Sequence, residues 1–155
     1  MIRSPRSIEK AIGITDVVFD KTGTLTTGQM LLQEMVLIDN PLSTESTAIS
    51  ASDLMSFALS VETLDSHPIA VAIANALTKQ GIEPFTVTDF EHTSGVGVAA
   101  RVHPAGSTTS KAVLIGSPIS IARSTTEFSP KLTAAIEAAK TRANSVAVLA
   151  IDGLA

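Results

Sequence analysis

The sequence contains no cysteine, no tryptophan and no tyrosine, and its only aromatic residues are five phenylalanines. Without thiols there is no disulfide framework, no thiolate metal site and no cysteine nucleophile. So few aromatic rings offer no stacking platform for bases. Eleven Lys and Arg stand against fifteen Asp and Glu, a formal charge of −4, so no cationic surface follows a phosphate backbone. Nucleic acid is therefore not expected as a partner. Long hydrophobic runs are also missing. Mean hydropathy is high at +0.34, yet the longest apolar stretches, at 69–74 and 146–151, fall far short of the roughly 20 residues that span a bilayer. Residues 1–6 are basic, but no apolar segment follows them, so they do not read as a secretory signal. As it stands the chain is expected to be soluble.

What is present builds a core. With 155 residues and 45% hydrophobic content, the chain is long enough for one domain, or one domain with a piece of another. Residues 7–12 read as a short helix closed by Gly13. The β-branched run 15–20 reads as a buried strand ending in Asp20, and a Thr- and Gly-rich loop follows at 21–28. A second strand is expected over 30–38, ended by Asn40-Pro41, and 42–52 looks like a connector. Leu54, Phe57, Ala58 and Val61 then form one stripe of a helix over 51–62. Another helix opens at Ser66-His67-Pro68 and runs to Gly81, with Pro68 suited to its first turn and Gly81 to its end.

From there the period changes to two. Segments 85–91, 95–102 and 111–115 read as strands, with a polar connection at 104–110. Helices are expected at 119–123 and 130–142, then a last strand at 146–151 and a turn at Asp152-Gly153. The strand at 16–19 is apolar on both faces, as in a parallel sheet with neighbours on each side. No βαβ repeat in this sequence supplies those neighbours. The strand reads as an orphan whose sheet lies elsewhere.

Asp20 carries the chemistry. A carboxylate at the C-terminal end of a strand stands where open α/β sheets bind their ligands. There it can attack a phosphoryl group and form an aspartyl phosphate, an encounter of two anions that needs a cation such as Mg²⁺ to screen it. Gly23 lets backbone approach phosphate oxygens, and the Thr22 and Thr24 hydroxyls can donate to them. The same residues also suit an ordinary Thr-rich turn after a strand.

Residues 20–26, Asp-Lys-Thr-Gly-Thr-Leu-Thr, preceded by Val-Val-Phe, match the phosphorylation motif of P-type ATPases without a departure. The resemblance implies that Asp20 is phosphorylated by ATP, that Thr22 gives its carbonyl to Mg²⁺ beside the Asp20 side chain, and that Thr24 contacts the phosphate. A second constellation resembles the nucleotide-binding domain of the heavy-metal-transporting branch. Glu62 precedes His67-Pro68 by five residues, and Gly95-Val96-Gly97 follows. By that resemblance Glu62 bonds the adenine amino edge, and His67 holds the base and neighbouring phosphates. Gly95 and Gly97 let the nucleotide lie against bare backbone, and the same logic extends to Gly116. Two positions depart from the family pattern: Asp65 stands where a serine is expected, and Ser117 where an asparagine is. His92 and His103 match nothing and read as exposed polar residues.

The resemblance implies an α+β fold, an antiparallel sheet flanked by helices, with part of a haloacid-dehalogenase-like Rossmann phosphorylation domain at the N-terminus. Residues 1–28 would belong to that incomplete domain, 29–152 to the nucleotide-binding domain, and 153–155 to the return. Residues 1–28 are expected to be loosely ordered or packed non-natively. The expected ligands are ATP and Mg²⁺. The expected partners are the remaining pump domains and a heavy-metal cation bound by parts absent here. The piece would be a cytoplasmic domain of an integral membrane protein, binding ATP with little turnover alone. Three rivals are a potassium- or calcium-type P-type ATPase, a haloacid-dehalogenase-type phosphatase, and a non-catalytic nucleotide-sensing module. The Glu62/His67 set argues against the first, and Thr22, where such phosphatases carry a second Asp, against the second.

Overall fold

A computed structural model describes residues 28–38, 49–125 and 128–155. The expected helix at 7–12, the strand at 15–20, Asp20, Thr22, Thr24 and the looseness expected of 1–28 lie outside these residues, save Gly28 itself.

Helix α1, Ala51–Glu62, starts at Ser50, whose side chain accepts the Asp53 N–H and so satisfies one of the open donors of the first turn. The sequence stripe is its packing face: Phe57 and Val61 are fully buried, and Leu54 and Ala58 pack beside them. Helix α2, Pro68–Lys79, has Pro68 in its first turn and ends at Gln80. Gly81 then takes φ +76°, the Gly81 N–H reaches Thr78 O and the Ile82 N–H reaches Leu77 O. These are the paired bonds of a Schellman ending, which only a residue at ease in the left-handed region completes without strain.

Four strands follow as an antiparallel meander in the order β1-β2-β3-β4: β1 Thr86–Thr93, β2 Gly97–His103, β3 Lys111–Gly116 and β4 Val148–Ile151. β1 carries a bulge between Thr88 and Glu91, where Asp89 adopts φ +52°. The short helix α3, Pro118–Ala122, and α4, Pro130–Thr141, lie between β3 and β4 in sequence.

Alternation along the strands supplies two cores. Val98, Ala100, Val102, Val113, Ile115 and Ile151 face Phe57 and Val61 of α1. The opposite face sends Val148 and Ala150 against Ile121, Leu132 and Ile136 of α3 and α4. The result is the expected antiparallel sheet with helices flanking it. Each fully buried Val or Leu contributes about 1.5–3 kcal/mol over its exposed state. Phe85, just before β1, meets Phe57 edge to face at 5.1 Å.

The expected strand over 30–38 is not formed: residues 29–38 carry no strand pairing, and Met30, Leu31, Met35, Val36 and Leu37 stay exposed. A strand exists only where a neighbour takes up its backbone groups, and the ladders of the described sheet join only β1 to β4 among themselves. Ile38 nonetheless packs on the second core, and Glu34 pairs with Arg142 at 2.6 Å. Smaller shifts concern ends. Gly95 and Val96 belong to the β1–β2 turn rather than to β2, and β4 starts at Val148 instead of 146.

Candidate functional site

Glu62 is the last residue of α1, and it is 3% exposed. Its carboxyl has no hydrogen-bond donor among the described residues. Burial, and then the negative charge of Asp65, push its pKa up to about 7. A carboxyl poised there is a proton donor and an acceptor through much of the neutral range.

Five residues on, the chain turns into α2. His67 is the N-cap, and its Nδ1 accepts the Ile69 N–H at 3.2 Å. That bond leaves the proton of a neutral ring on Nε2, so an exposed imidazole presents an N–H outward. Pro68 fits because its position needs no donor. Asp65, between the two helices, accepts the His67 backbone N–H on Oδ1 at 3.1 Å. The same oxygen lies 3.2 Å from Nδ1 of His92, on β1. His92 is exposed, as expected of it, but it is not idle. His103 likewise meets a partner, with Nε2 3.0 Å from Thr88 Oγ1.

The glycines stand beside this junction. His92 pairs with Val98 and Thr93 with Gly97, so residues 94–96 form the hairpin turn, closed by the Val96 N–H to Thr93 O. Gly95, at φ +75°, has open space where a Cβ would point. Its carbonyl accepts the Ser120 hydroxyl of α3 at 3.2 Å. Gly97 and Gly116 are different, for they are register partners across β2 and β3. A Cβ on Gly97 would come 2.1 Å from Ile115 O, and one on Gly116 2.3 Å from Val96 O. Close strand approach alone requires both glycines. Ser117 caps α3 by accepting the Ser120 N–H.

The fold thus gathers Glu62, His67, Gly95, Gly97 and Gly116 toward one end of the sheet, with Asp65 joining the helix connection to the hairpin. Asp65, His92 and Ser120 escaped the sequence reading as site residues. Asp65 alone carried a signal, its departure from the expected serine. Among the described residues no group of three or more His, Asp or Glu is placed to hold a metal ion, and no helix is long and apolar enough to cross a membrane.

The model of the haloacid dehalogenase-like hydrolases matches residues 16–153, nearly the whole chain and with it the Asp20 motif. The chain belongs to this family. Within the haloacid dehalogenase-like hydrolases its relatives are copper-transporting P-type ATPases. It is 41% identical over 106 residues to the probable copper-transporting ATPase PacS of Synechococcus elongatus, covering 66% of this chain and 13% of the relative. It is 30% identical over 152 residues to the copper-exporting P-type ATPase of Mycobacterium tuberculosis, covering 98% of this chain and 17% of the relative. The chain therefore spans only a small part of the relatives it matches. Among solved structures, the catalytic domain of the CPx-ATPase CopB-B superposes with a TM-score of 0.59 at 25% identity, over 99% of this chain and 45% of that one. A zinc-transporting PIB-type ATPase shares the fold, with a TM-score of 0.63 at 22% identity over 86% of this chain and 19% of that one.

Proposed function

We propose that this chain is the ATP-binding and phosphorylation-loop part of a heavy-metal-transporting P-type ATPase. The observation that carries the reading is the link, through Asp65 and His92, between the Glu62–His67 connection and the strand that leads into the Gly95–Gly97 hairpin, since these segments are distant in sequence and carry residues that match the family's nucleotide set. Residues 29–152 form the nucleotide domain, residues 1–28 the start of the phosphorylation domain, and 153–155 the return to it. The cargo is a heavy-metal cation held elsewhere in the pump, and the relatives' names make copper the first to test. The whole protein is a membrane translocase with this part on the cytoplasmic side.

Glu62 receives the adenine edge. A neutral carboxyl offers one donor and one acceptor, which match adenine's N1 acceptor and 6-amino donor. An ionised carboxylate has only acceptors and would suit guanine's two adjacent donors better. The raised pKa thus favours adenine. His67 points its Nε2–H toward the base and neighbouring phosphates, and Gly95, with open space above it, lets the nucleotide rest on backbone. Gly97 and Gly116 act through the close strand pairing that shapes this floor. By the motif at 20–26, Asp20 attacks the γ-phosphorus of ATP and ADP leaves, with Thr24 assigned to contact the phosphate; the Asp20 carboxylate and the Thr22 carbonyl would hold Mg²⁺, which would supply screening of the two anions. Few polar anchors imply a dissociation constant of about 0.1–1 mM for ATP.

An ATP titration followed by amide NMR tests the reading, with His67→Ala alongside. Shifts clustered at Glu62, His67, Gly95 and Gly97, lost in the variant, are the expected result. No shift at millimolar ATP would sink the nucleotide assignment and leave only the Asp20 motif.

A further inference from the structure

The proposed nucleotide site is built from two separate pieces of chain. One is the connection between α1 and α2, with Glu62 at one end and His67 at the other. The second is the β1–β2 hairpin with Gly95 and Gly97. Asp65 Oδ1 joins them, because it accepts from the His67 N–H at 3.1 Å and faces His92 Nδ1 at 3.2 Å. The Asp65 side chain is 9% exposed and that of His92 45% exposed, so the carboxylate is largely screened from water while its imidazole partner stays open to it. A partly buried carboxylate shared by two N–H donors is worth more than a free surface ion pair.

We propose that Asp65 and His92 form a clasp that positions His67 and the glycine hairpin relative to each other, and so sets nucleotide affinity without touching the nucleotide. The inference rests on the functional reading above and adds two positioning residues to it. The carboxylate holds the His67 backbone in the extended conformation, φ −61° and ψ 139°, from which the ring caps the Ile69 N–H and turns Nε2–H outward. His92 lies one residue before Thr93, the register partner of Gly97, so its hold on Asp65 reaches the hairpin directly. A serine at position 65 can still accept from the His67 N–H but is too short to reach the His92 ring. This sequence, with an aspartate there and a histidine at 92, is equipped for the longer link.

Four variants of the full chain separate the clasp from other roles. His92→Ala and Asp65→Ser should each weaken ATP binding by about 3–10-fold, the range of a lost charge-assisted hydrogen bond acting through position alone. The double variant Asp65→Ser/His92→Ala should be no weaker than either single one, since both break the same link. Asp65→Asn keeps an acceptor oxygen of the right length and should recover most of the affinity. Independently of nucleotide, amide exchange at Gly95–Gly97 should speed up in His92→Ala and in Asp65→Ser alike, while thermal unfolding stays cooperative. ATP binding that is lost in His67→Ala yet unchanged in His92→Ala overturns the clasp and leaves the nucleotide site standing. Single losses that multiply in the double variant overturn it too, because they would mean separate contacts with the ligand. If the unaltered chain binds no ATP at millimolar concentration, the site and the clasp fall together.

Discussion

Gly97 and Gly116 face each other across the β2–β3 ladder, and neither has room for a methyl group: the nearest obstacles, Ile115 O and Val96 O, are rigid backbone. Gly97 also holds φ +139°, which side chains avoid. Gly97→Ala and Gly116→Ala should therefore each cost about 3 kcal/mol or more, as overpacking against immovable atoms does. Gly95→Ala meets open space and carries only the left-handed penalty of about 1–2 kcal/mol. Urea unfolding of the three variants checks the order. Equal costs at 95 and 97 would refute it, and a folded Gly95→Ala that loses ATP affinity would single out Gly95 as the glycine the nucleotide touches.

The raised pKa of Glu62 ties stability to pH. Its folded value of about 7 lies above the ordinary 4.5 that it regains on unfolding. Between those values the folded chain binds the extra proton, so this group's contribution is complete below about pH 4.5 and is lost as pH rises through 7. The swing is about 3 kcal/mol, from the two-and-a-half-unit displacement. Glu62→Gln removes the proton and should flatten the curve, leaving the variant more stable than the parent at pH 8. Urea midpoints of both chains from pH 5 to 8 give the answer, and parallel curves would show that Glu62 does not titrate in this window.

Ser60, in the last turn of α1, is buried, and its hydroxyl both donates and accepts. It donates to Ser56 O within the helix, and it accepts the Phe85 N–H at 2.7 Å just before β1. Ser60→Ala leaves that amide without its acceptor at a position packed against Phe57. The expected loss is about 1–3 kcal/mol. Amide exchange at Phe85 should accelerate in step with it. A variant as stable as the parent would mean that water or a shifted backbone replaces the bond.

Periodicity made most of the architecture readable. The Leu54-Phe57-Ala58-Val61 stripe states a helix and its buried face together, and the two-residue alternation of Val98, Ala100 and Val102 does the same for β2. Residues 30–38 misled because an apolar run shows a preference for extension but says nothing about which strand would pair with it. Asp89 gave no warning of its bulge, for a left-handed aspartate lacks the glycine that marks such places. The candidate site was legible where its structure is local, as in His67-Pro68 opening a helix. Asp65 and His92 lie 27 residues apart, and only the folded hairpin brings them within bonding distance. Gly97 and Gly116 were legible as glycines, but their reason, a backbone contact between strands, appears only once the register is known.

Glu62 should also make base binding depend on pH. In the proposed site its protonated form would donate to adenine N1 while accepting from the 6-amino group, whereas its ionised form can only accept. Adenosine is the useful probe, since it carries no phosphate that titrates near neutrality. Its affinity should fall several-fold between pH 6 and pH 8, as the carboxyl passes through its pKa of about 7. Glu62→Gln keeps a donor and an acceptor at every pH and should bind adenosine with a flat profile, whereas Glu62→Ala should bind it poorly throughout. The glutamine variant decides the matter because it removes only the Glu62 proton. A pH dependence that survives in Glu62→Gln would assign it to groups other than Glu62, and the carboxyl would then be no more than a buried acceptor for the 6-amino group.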